Sequence, residues 1–506
     1  MYSRKISRKL NNFESTSPRN SRCINKRNRE CEDESESESE SESISGSDSY
    51  FDSDESLSED DEREVSQGIV GEIYQNKYII LKYLGKGTFS RVWMVYDVTS
   101  ENFYAMKVVY SKYAEDAEHE IDMYKHLGNK YKNVTRYVDS FYVKDEMCIV
   151  MELMGICLID LFKYYTEEGN KDSCNKKWYD TDIESELIPV NVVKKLFSDL
   201  FSGLNELHSK NIVHTDLKPE NIMINIYPQK LIKIKEWFLD SDILGLYKSE
   251  LSKIVPGNID TLDNQKRKII RKKCRIRALS IISEKVREII GEYHQDIYNQ
   301  KLKEAEDIIE IDDISDIEID EVNKDELFTI PDTQEIQAKI IDLGNAELLD
   351  DIEPDVIQLR CYRPPENVLH DFYNTKADIW TMGCILFETL TGDFLFDIDH
   401  EKYNDSLERD KELLVQMYNI LGEISKRDIE RSIYKNDLFD PNSNRLLDVA
   451  SERLDKKSFS ELIIDSQSKL TSSEIEEVID LFNNIFVYDP TKRLSADEIL
   501  GHKWLS

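Results

Sequence analysis

Residues 212–221 read I-V-H-T-D-L-K-P-E-N. They follow an apolar helical stripe made by Val193, Leu196, Phe197, Leu200, Leu204 and Leu207. This short stretch carries a carboxylate (Asp216), an ammonium (Lys218) and an amide (Asn221). Chemistry this dense belongs on a loop held by a rigid scaffold, which the helix supplies. Three more elements stand in order around it. Upstream, L-G-K-G-T-F-S-R-V (84–92) lies between two strand patterns, and A-M-K ends at Lys107 among apolar neighbours. Downstream, I-D-L-G-N-A sets Asp342 two residues before Gly344.

Each residue type suits one task at a phosphate. Gly85 and Gly87 let the main chain approach phosphate oxygens with no Cβ between. Lys107 is flanked by Ala105, Met106, Val108 and Val109. An unpaired charge there is costly, and a phosphate with a carboxylate partner removes that cost. Glu120 is the expected partner because it shares a helix face with Tyr124 and Leu127, with Glu118 as the alternative. Asp216 can accept the proton of an attacking hydroxyl, and Lys218 can offset charge on the transferred group. Asn221 and Asp342 offer hard oxygen ligands to Mg²⁺. His214 is expected to brace the loop. The ordered set reads as a phosphoryl-transfer site for ATP. Expected nucleotide contacts are Leu84, Gly85, Lys86, Gly87, Thr88, Phe89, Ser90, Arg91 and Val92 of the turn, then Ala105, Lys107, Glu120, Met151, Glu152 and Leu153.

Taken in order, the chain opens with a basic segment to about residue 30. A tract rich in Ser, Glu and Asp follows, to about residue 64. The tract has too few apolar residues to offset chain entropy, so residues 1–77 are expected to be a disordered arm. It reads as a solvated tail, or as a regulatory arm whose acid-flanked serines accept phosphate. From Tyr78 to Leu153 the pattern predicts five strands and one helix, at 115–127. Residues 154–226 and 336–506 read as mainly helical, with a polar surface insertion at 167–186. Residues 227–335 interrupt them, basic at 266–277 and acidic at 304–321. That basic run fits a solvated insert or a docking or localisation segment.

The formal net charge of the 506 residues is -35, which disfavours general binding to nucleic acid or anionic membrane and points to basic partners. The eight cysteines form no C-x-x-C pair and read as reduced thiols of an intracellular protein. No apolar run approaches the ~20 residues of a membrane helix, and no apolar core follows the basic N-terminus as in a secretory signal.

These residues resemble the eukaryotic protein kinase superfamily over about residues 78–504, apart from the interruption. Within it the chain is most similar to SR-protein-specific serine/threonine kinases of the CMGC group. The likeness rests on His214-Thr215-Asp216, Asp342-Leu343-Gly344-Asn345-Ala346, Phe89-Ser90-Arg91-Val92-Trp93, Ala105-Met106-Lys107-Val108-Val109 and Thr391-Gly392-Asp393-Phe394-Leu395-Phe396, and on the long interruption itself. The resemblance implies an α+β bilobal fold, a small β lobe and a larger helical lobe split by a spacer. It implies a monomeric enzyme that phosphorylates basic, Arg/Ser-rich proteins. It makes Asp393, Asp410 and Glu412 candidates for an acidic substrate groove, and pairs Glu366 with Arg493. Two positions depart from the family pattern. Leu359 stands where the family has threonine, and Asn419 where its groove has an acid.

Two further expectations follow. Residues 342–366 contain no Ser or Thr, and Tyr362 holds their sole hydroxyl. The arginine that receives a loop phosphate in regulated kinases is replaced by Thr215, so activity without loop phosphorylation is expected. The interruption supplies no motif residue and is expected to be dispensable for catalysis, though by resemblance its first turns, around residues 236–238, pack on the core. Two alternatives stay open. One is a kinase of a neighbouring group with another site preference. The other is an inactive scaffold that binds basic proteins through the acidic arm.

Overall fold

The computed structural model describes residues 70–168, 187–252, 276–288 apart from 278, 328, and 330–505 apart from 354–355, 399–401, 404, 448, 450–452, 455 and 467. The expectations for residues 1–69, 169–186, 266–275 and 304–321 lie outside the described residues.

Aromatic and β-branched runs form the small lobe. Its strands are β1 (Ile73–Tyr74), β2 (Tyr78–Lys86), β3 (Ser90–Asp97), β4 (Asn102–Val109), β5 (Tyr137–Val143) and β6 (Glu146–Glu152). They pair antiparallel in the order β1-β2-β3-β4-β6-β5. The sheet therefore has six strands, one more than the sequence pattern gave. The extra strand β1 lies in the segment expected to belong to the disordered arm. A tight turn at Gln75 and Asn76, with φ of 51° and 53°, folds β1 back on β2. Two residues are too few for alternation to register, and Gln-Asn is a weaker turn signal than Asn-Gly.

Helix α1 (Ala114–Leu127) crosses behind the sheet and buries Ala117, Glu120, Ile121, Tyr124 and Leu127. That three-and-four spacing is the mark of one helix face. Glu115 and Asp116 occupy its first turn, where negative charge suits the helix dipole.

The larger lobe is built on α2 (Leu158–Glu168), α3 (Val190–His208) and, further along, a helix at Lys376–Thr391. All six apolar positions of the predicted α3 stripe are buried. The helix at Lys376–Thr391 is buried on nearly every side and stops at Gly392, which takes the left-handed φ of 81°. Short pairs frame the central loop: β7 (Ile212–Val213) and β8 (Ile222–Ile224) pair with later strands at Glu347–Leu348 and Ala338–Ile340 respectively. Within the larger lobe the chain packs tightly at Gly155, where a Cβ would fall 1.8 Å from the Ile226 carbonyl oxygen.

Part of the interruption belongs to the small-lobe core. Helix α4 (Gln229–Asp240) and the helical residues near 282–286 bury Leu231, Ile234, Phe238, Ile282 and Val286 among β2, β3 and β4. Phe238 packs its ring 4.7 Å from Tyr96 and 5.9 Å from Phe103. The Arg287 Nε donates to the Val70 carbonyl at 3.0 Å, tying this layer to the start of β1. Phe238→Ala is expected to cost about 3–5 kcal/mol of small-lobe stability, since it leaves a cavity between α4 and the sheet. Thermal melting checks this, and a change below about 1 kcal/mol would show that α4 is not part of that core.

Candidate active site

The central loop hangs from a buried carboxylate. Asp378 stands in the first turn of the helix at Lys376–Thr391 and is fully buried. Its Oδ2 accepts the His214 main-chain N–H at 2.9 Å and the His208 imidazole at 2.9 Å, and its Oδ1 accepts the Thr215 N–H at 3.2 Å. The His214 ring donates from Nε2 to the Ile341 carbonyl at 2.9 Å and accepts the Asp216 N–H at Nδ1. His214 thus joins the loop to the residue before Asp342. Sequence reasoning missed Asp378 as an anchor. The available signal was an acid inside an apolar helix, which must find donors when buried.

Around Asp216 the expected set converges. Lys218 Nζ lies 3.1 Å from Asp216 Oδ2. The Asn221 side-chain N–H donates to the Asp216 main-chain oxygen at 2.8 Å, which leaves the Asn221 amide oxygen as an acceptor. Asn345 donates to Asp216 Oδ2 at 3.4 Å.

Lys107 stands between two carboxylates, 2.9 Å from Glu120 Oε2 and 2.9 Å from Asp342 Oδ1. Glu120 is the partner the helix face indicated, while Glu118 accepts from the Tyr142 hydroxyl instead. Burial lowers the proton affinity of Lys107, but Glu120 and Asp342 outweigh it and hold the ammonium charged well above its usual range. The two acids diverge. Burial raises the pKa of Glu120, whose side chain is only 2% exposed, despite Lys107. Asp342 is 37% exposed, and there Lys107 prevails over burial and leaves the carboxyl below its usual range. Asp342 also takes a left-handed φ of 65°, strain of the kind functional sites retain.

The glycine turn closes with the Gly87 N–H on the Ser90 carbonyl at 2.8 Å. A Cβ at Gly85 would meet no atom within 4 Å, so internal packing does not demand glycine there. That open face suits a group from outside the chain. Leu84 and Phe89 are exposed, and Phe89 rests edge-on to Tyr113 at 4.6 Å. Lys86 and Thr88 are exposed too, while Ser90 is buried and Val92 and Ala105 are half-buried. The Arg91 guanidinium pairs with Glu146 at 2.8 Å, so its charge is spent on the sheet. Met151 and Glu152 end β6, and Leu153 follows it. Glu152 accepts from Lys339 at 2.6 Å, and the Leu153 carbonyl accepts from the Tyr227 hydroxyl at 3.0 Å. The Leu153 side chain sits in the small-lobe core. Lys339 carried no motif signal, because its partner lies 187 residues away.

Just after Asp342, residues 345 and 346 are fastened through their main-chain carbonyls. The Thr215 hydroxyl donates to the Asn345 carbonyl at 2.6 Å, and the His119 imidazole on α1 donates to the Ala346 carbonyl at 2.7 Å. Tyr362 is buried and gives its hydroxyl to Glu388 at 2.6 Å. Burial pushes the Glu388 carboxyl up to about 8, against the lowering effect of that hydroxyl. Glu366 and Arg493 form a bidentate pair at 2.9 Å in full burial, as the resemblance implied.

One expected substrate-groove residue is corrected. Asp410 is buried and engaged by Arg360 and by Arg363. It serves the fold of the loop rather than a groove, because two internal arginines claim it. Glu412 pairs with Arg453 and accepts the Tyr403 hydroxyl at 2.8 Å. Asp393 remains exposed.

The hard oxygen donors Asp342 and Asn221 fit Mg²⁺, which the protein kinase family uses together with ATP. Among the described residues no group of three His, Cys, Asp or Glu forms a metal cage. A cation at these two residues would complete its shell with phosphate and water oxygens.

Comparison with known proteins supports the same picture. The family described as "Protein kinase domain" matches residues 78–240 and 325–505. The serine/threonine-protein kinase SRPK of Physarum polycephalum is 25% identical over 471 residues, covering 90% of this chain and 92% of its own. Protein kinase dsk1 of Schizosaccharomyces pombe is 25% identical over 483 residues, covering 86% and 81%. A crystal structure of a kinase domain superposes with a TM-score of 0.53 at 20% identity, covering 86% of this chain and 97% of that one, and agrees in fold. No helix among the described residues is long and apolar enough to cross a membrane. The chain belongs to the protein kinase domain family and is a serine/threonine protein kinase.

Proposed function

We propose that this chain binds ATP with Mg²⁺ beneath the glycine turn and transfers the γ-phosphate to serine or threonine of basic proteins. The observation that carries the reading is the bridge of Lys107 between Glu120 and Asp342, each at 2.9 Å. In regulated kinases that arrangement has to be assembled. Lys107 holds the α- and β-phosphates, and Glu120 aims it. Asp216 accepts the proton of the attacking hydroxyl and directs its oxygen in line with the γ-phosphorus. Lys218 offsets charge on the group in flight. Mg²⁺, held by Asn221 and Asp342, would neutralise phosphate charge when bound.

The preference for basic substrates rests on the net charge of -35, on exposed Asp393, and on the likeness to SR-protein-specific kinases. Among the described residues Cys148, Cys157 and Cys384 are thiols outside any disulfide, which suits an intracellular enzyme. We read it as a monomer. The test is initial rates on three serine peptides: Arg-Ser-rich, acidic, and proline-directed. The Arg-Ser peptide is expected to have the highest kcat/KM by about tenfold or more, the size of one or two charge-assisted contacts. Equal or higher rates on the acidic peptide would refute the basic preference.

A further inference from the structure

Tyr124 lies one turn past Glu120 on the buried face of α1, and the reaction as described so far has no use for its hydroxyl. The residue is 1% exposed. Its ring stacks on Tyr137 with centroids 6.0 Å apart, which a phenylalanine ring could do as well. The oxygen is the unexplained part, because among the described residues the hydroxyl closes no hydrogen bond. Glu120 Oε1 is a second such atom on the same face, since Lys107 takes only Oε2. The Asp342 main-chain N–H is a third group. It gives to no main-chain carbonyl among the described residues, and it faces the Tyr124 hydroxyl. Buried polar groups left unmade are costly and rare in native proteins. Helix and loop are close here: a Cβ on Gly344 would fall 3.3 Å from Asp342 Oδ1 and 4.0 Å from Glu120 Oε2. Burial, with the charges of Glu120 and Asp342, pushes the Tyr124 hydroxyl well above its usual range, so it keeps a proton to give.

The three groups complement one another. A main-chain N–H donates, a carboxylate oxygen accepts, and a hydroxyl does both. We propose that Tyr124 is a positioning residue for Asp342, its hydroxyl accepting the Asp342 main-chain N–H and donating to Glu120 Oε1. The relay closes in the nucleotide-bound enzyme, where Lys107 turns to the phosphates and Asp342 Oδ1 gives up its ammonium. It fixes the Asp342 main chain and leaves both carboxylate oxygens free to serve a divalent cation. That main chain needs a hold of its own, because it takes a left-handed φ of 65°. Glu120 then aims Lys107 with one oxygen and steadies Asp342, through Tyr124, with the other. The proposal rests on the phosphotransfer reading above.

The experiment compares wild type with Tyr124→Phe, which removes one oxygen and keeps the stacked ring. Two quantities are read. One is amide hydrogen exchange at Asp342 in the presence of ADP and Mg²⁺. The other is the ADP dissociation constant, measured with Mg²⁺ and again in EDTA. Tyr124→Phe is expected to speed exchange at Asp342 about tenfold, because the amide loses its acceptor. It is expected to weaken ADP binding about fivefold with Mg²⁺ and less than about twofold in EDTA, the weight of one hydrogen bond felt only where Asp342 is engaged. Tyr124→Met reports the same two quantities should Tyr124→Phe fail to fold. Unchanged exchange at Asp342, or an equal loss of ADP affinity with and without Mg²⁺, overturns the proposal. So does a fall in Tm that leaves both quantities unmoved, which is what a merely structural hydroxyl would give. If wild type binds ADP no better with Mg²⁺ than in EDTA, the ATP and Mg²⁺ reading of the site itself fails. If it does bind better and Tyr124→Phe matches it, only the Tyr124 assignment falls.

Discussion

Asp216→Ala is expected to lower phosphotransfer by about 10²–10⁴-fold, the range that a positioned general base contributes. The fold should survive, because the loop hangs on Asp378 through the His214 and Thr215 main chain and not on the Asp216 carboxylate. Lys107→Met is expected to cost about a hundredfold or more, since a phosphate displaced by an ångström loses its near-attack geometry. It should also loosen Glu120, which is left buried without its ammonium. The two losses should differ in kind. Asp216→Ala acts on kcat at saturating ATP, whereas Lys107→Met also raises the KM for ATP. Circular dichroism confirms folding in each case. Near-normal turnover by Asp216→Ala would remove it from the role of base.

The second large effect is structural. Arg493 is fully buried, bonded to both oxygens of Glu366, to the Lys376 carbonyl at 2.6 Å and the Val487 carbonyl at 3.0 Å, and set over the Trp380 ring at 5.1 Å. Arg493→Ala leaves the buried Glu366 carboxylate without its cation. Its expected cost is about 3–5 kcal/mol, the range for breaking one side of a buried pair. Arg493→Lys should rescue little, because a point ammonium cannot reproduce the two parallel bonds. Denaturant unfolding of the three proteins measures this. A loss under about 1 kcal/mol for Arg493→Ala would mean that the pair does not hold the larger lobe.

Much of this was legible because it is local. Asp216, Lys218 and Asn221 lie on one loop, and the spacing of buried positions on α1 chose Glu120 over Glu118. The α3 stripe announced its buried face through its period alone. What the sequence hid depends on distant partners or very short elements. Strand β1 spans two residues. The groove reading of Asp410 failed because Arg360, 50 residues away, claims that carboxylate inside the fold. Glu152 likewise meets Lys339 only in three dimensions. Helix α4 lies in a segment that carries no motif; the resemblance alone implied that its turns near residues 236–238 pack on the core, and its apolar face does complete the small lobe. Its role follows from what it covers, which no local pattern states.

The arrangement stands without a phosphate on the segment after Asp342. That segment has no serine or threonine, and its tyrosine is buried against Glu388. Thr215 and His119 hold it through main-chain carbonyls, so no charge pair has to be created by modification. The most direct test is the initial rate of bacterially expressed, phosphatase-treated protein on a basic serine peptide. The expected result is linear product formation from the first time point, with a rate within about twofold of untreated protein. A lag that shortens on preincubation with ATP, or a large loss of rate after phosphatase, would contradict it.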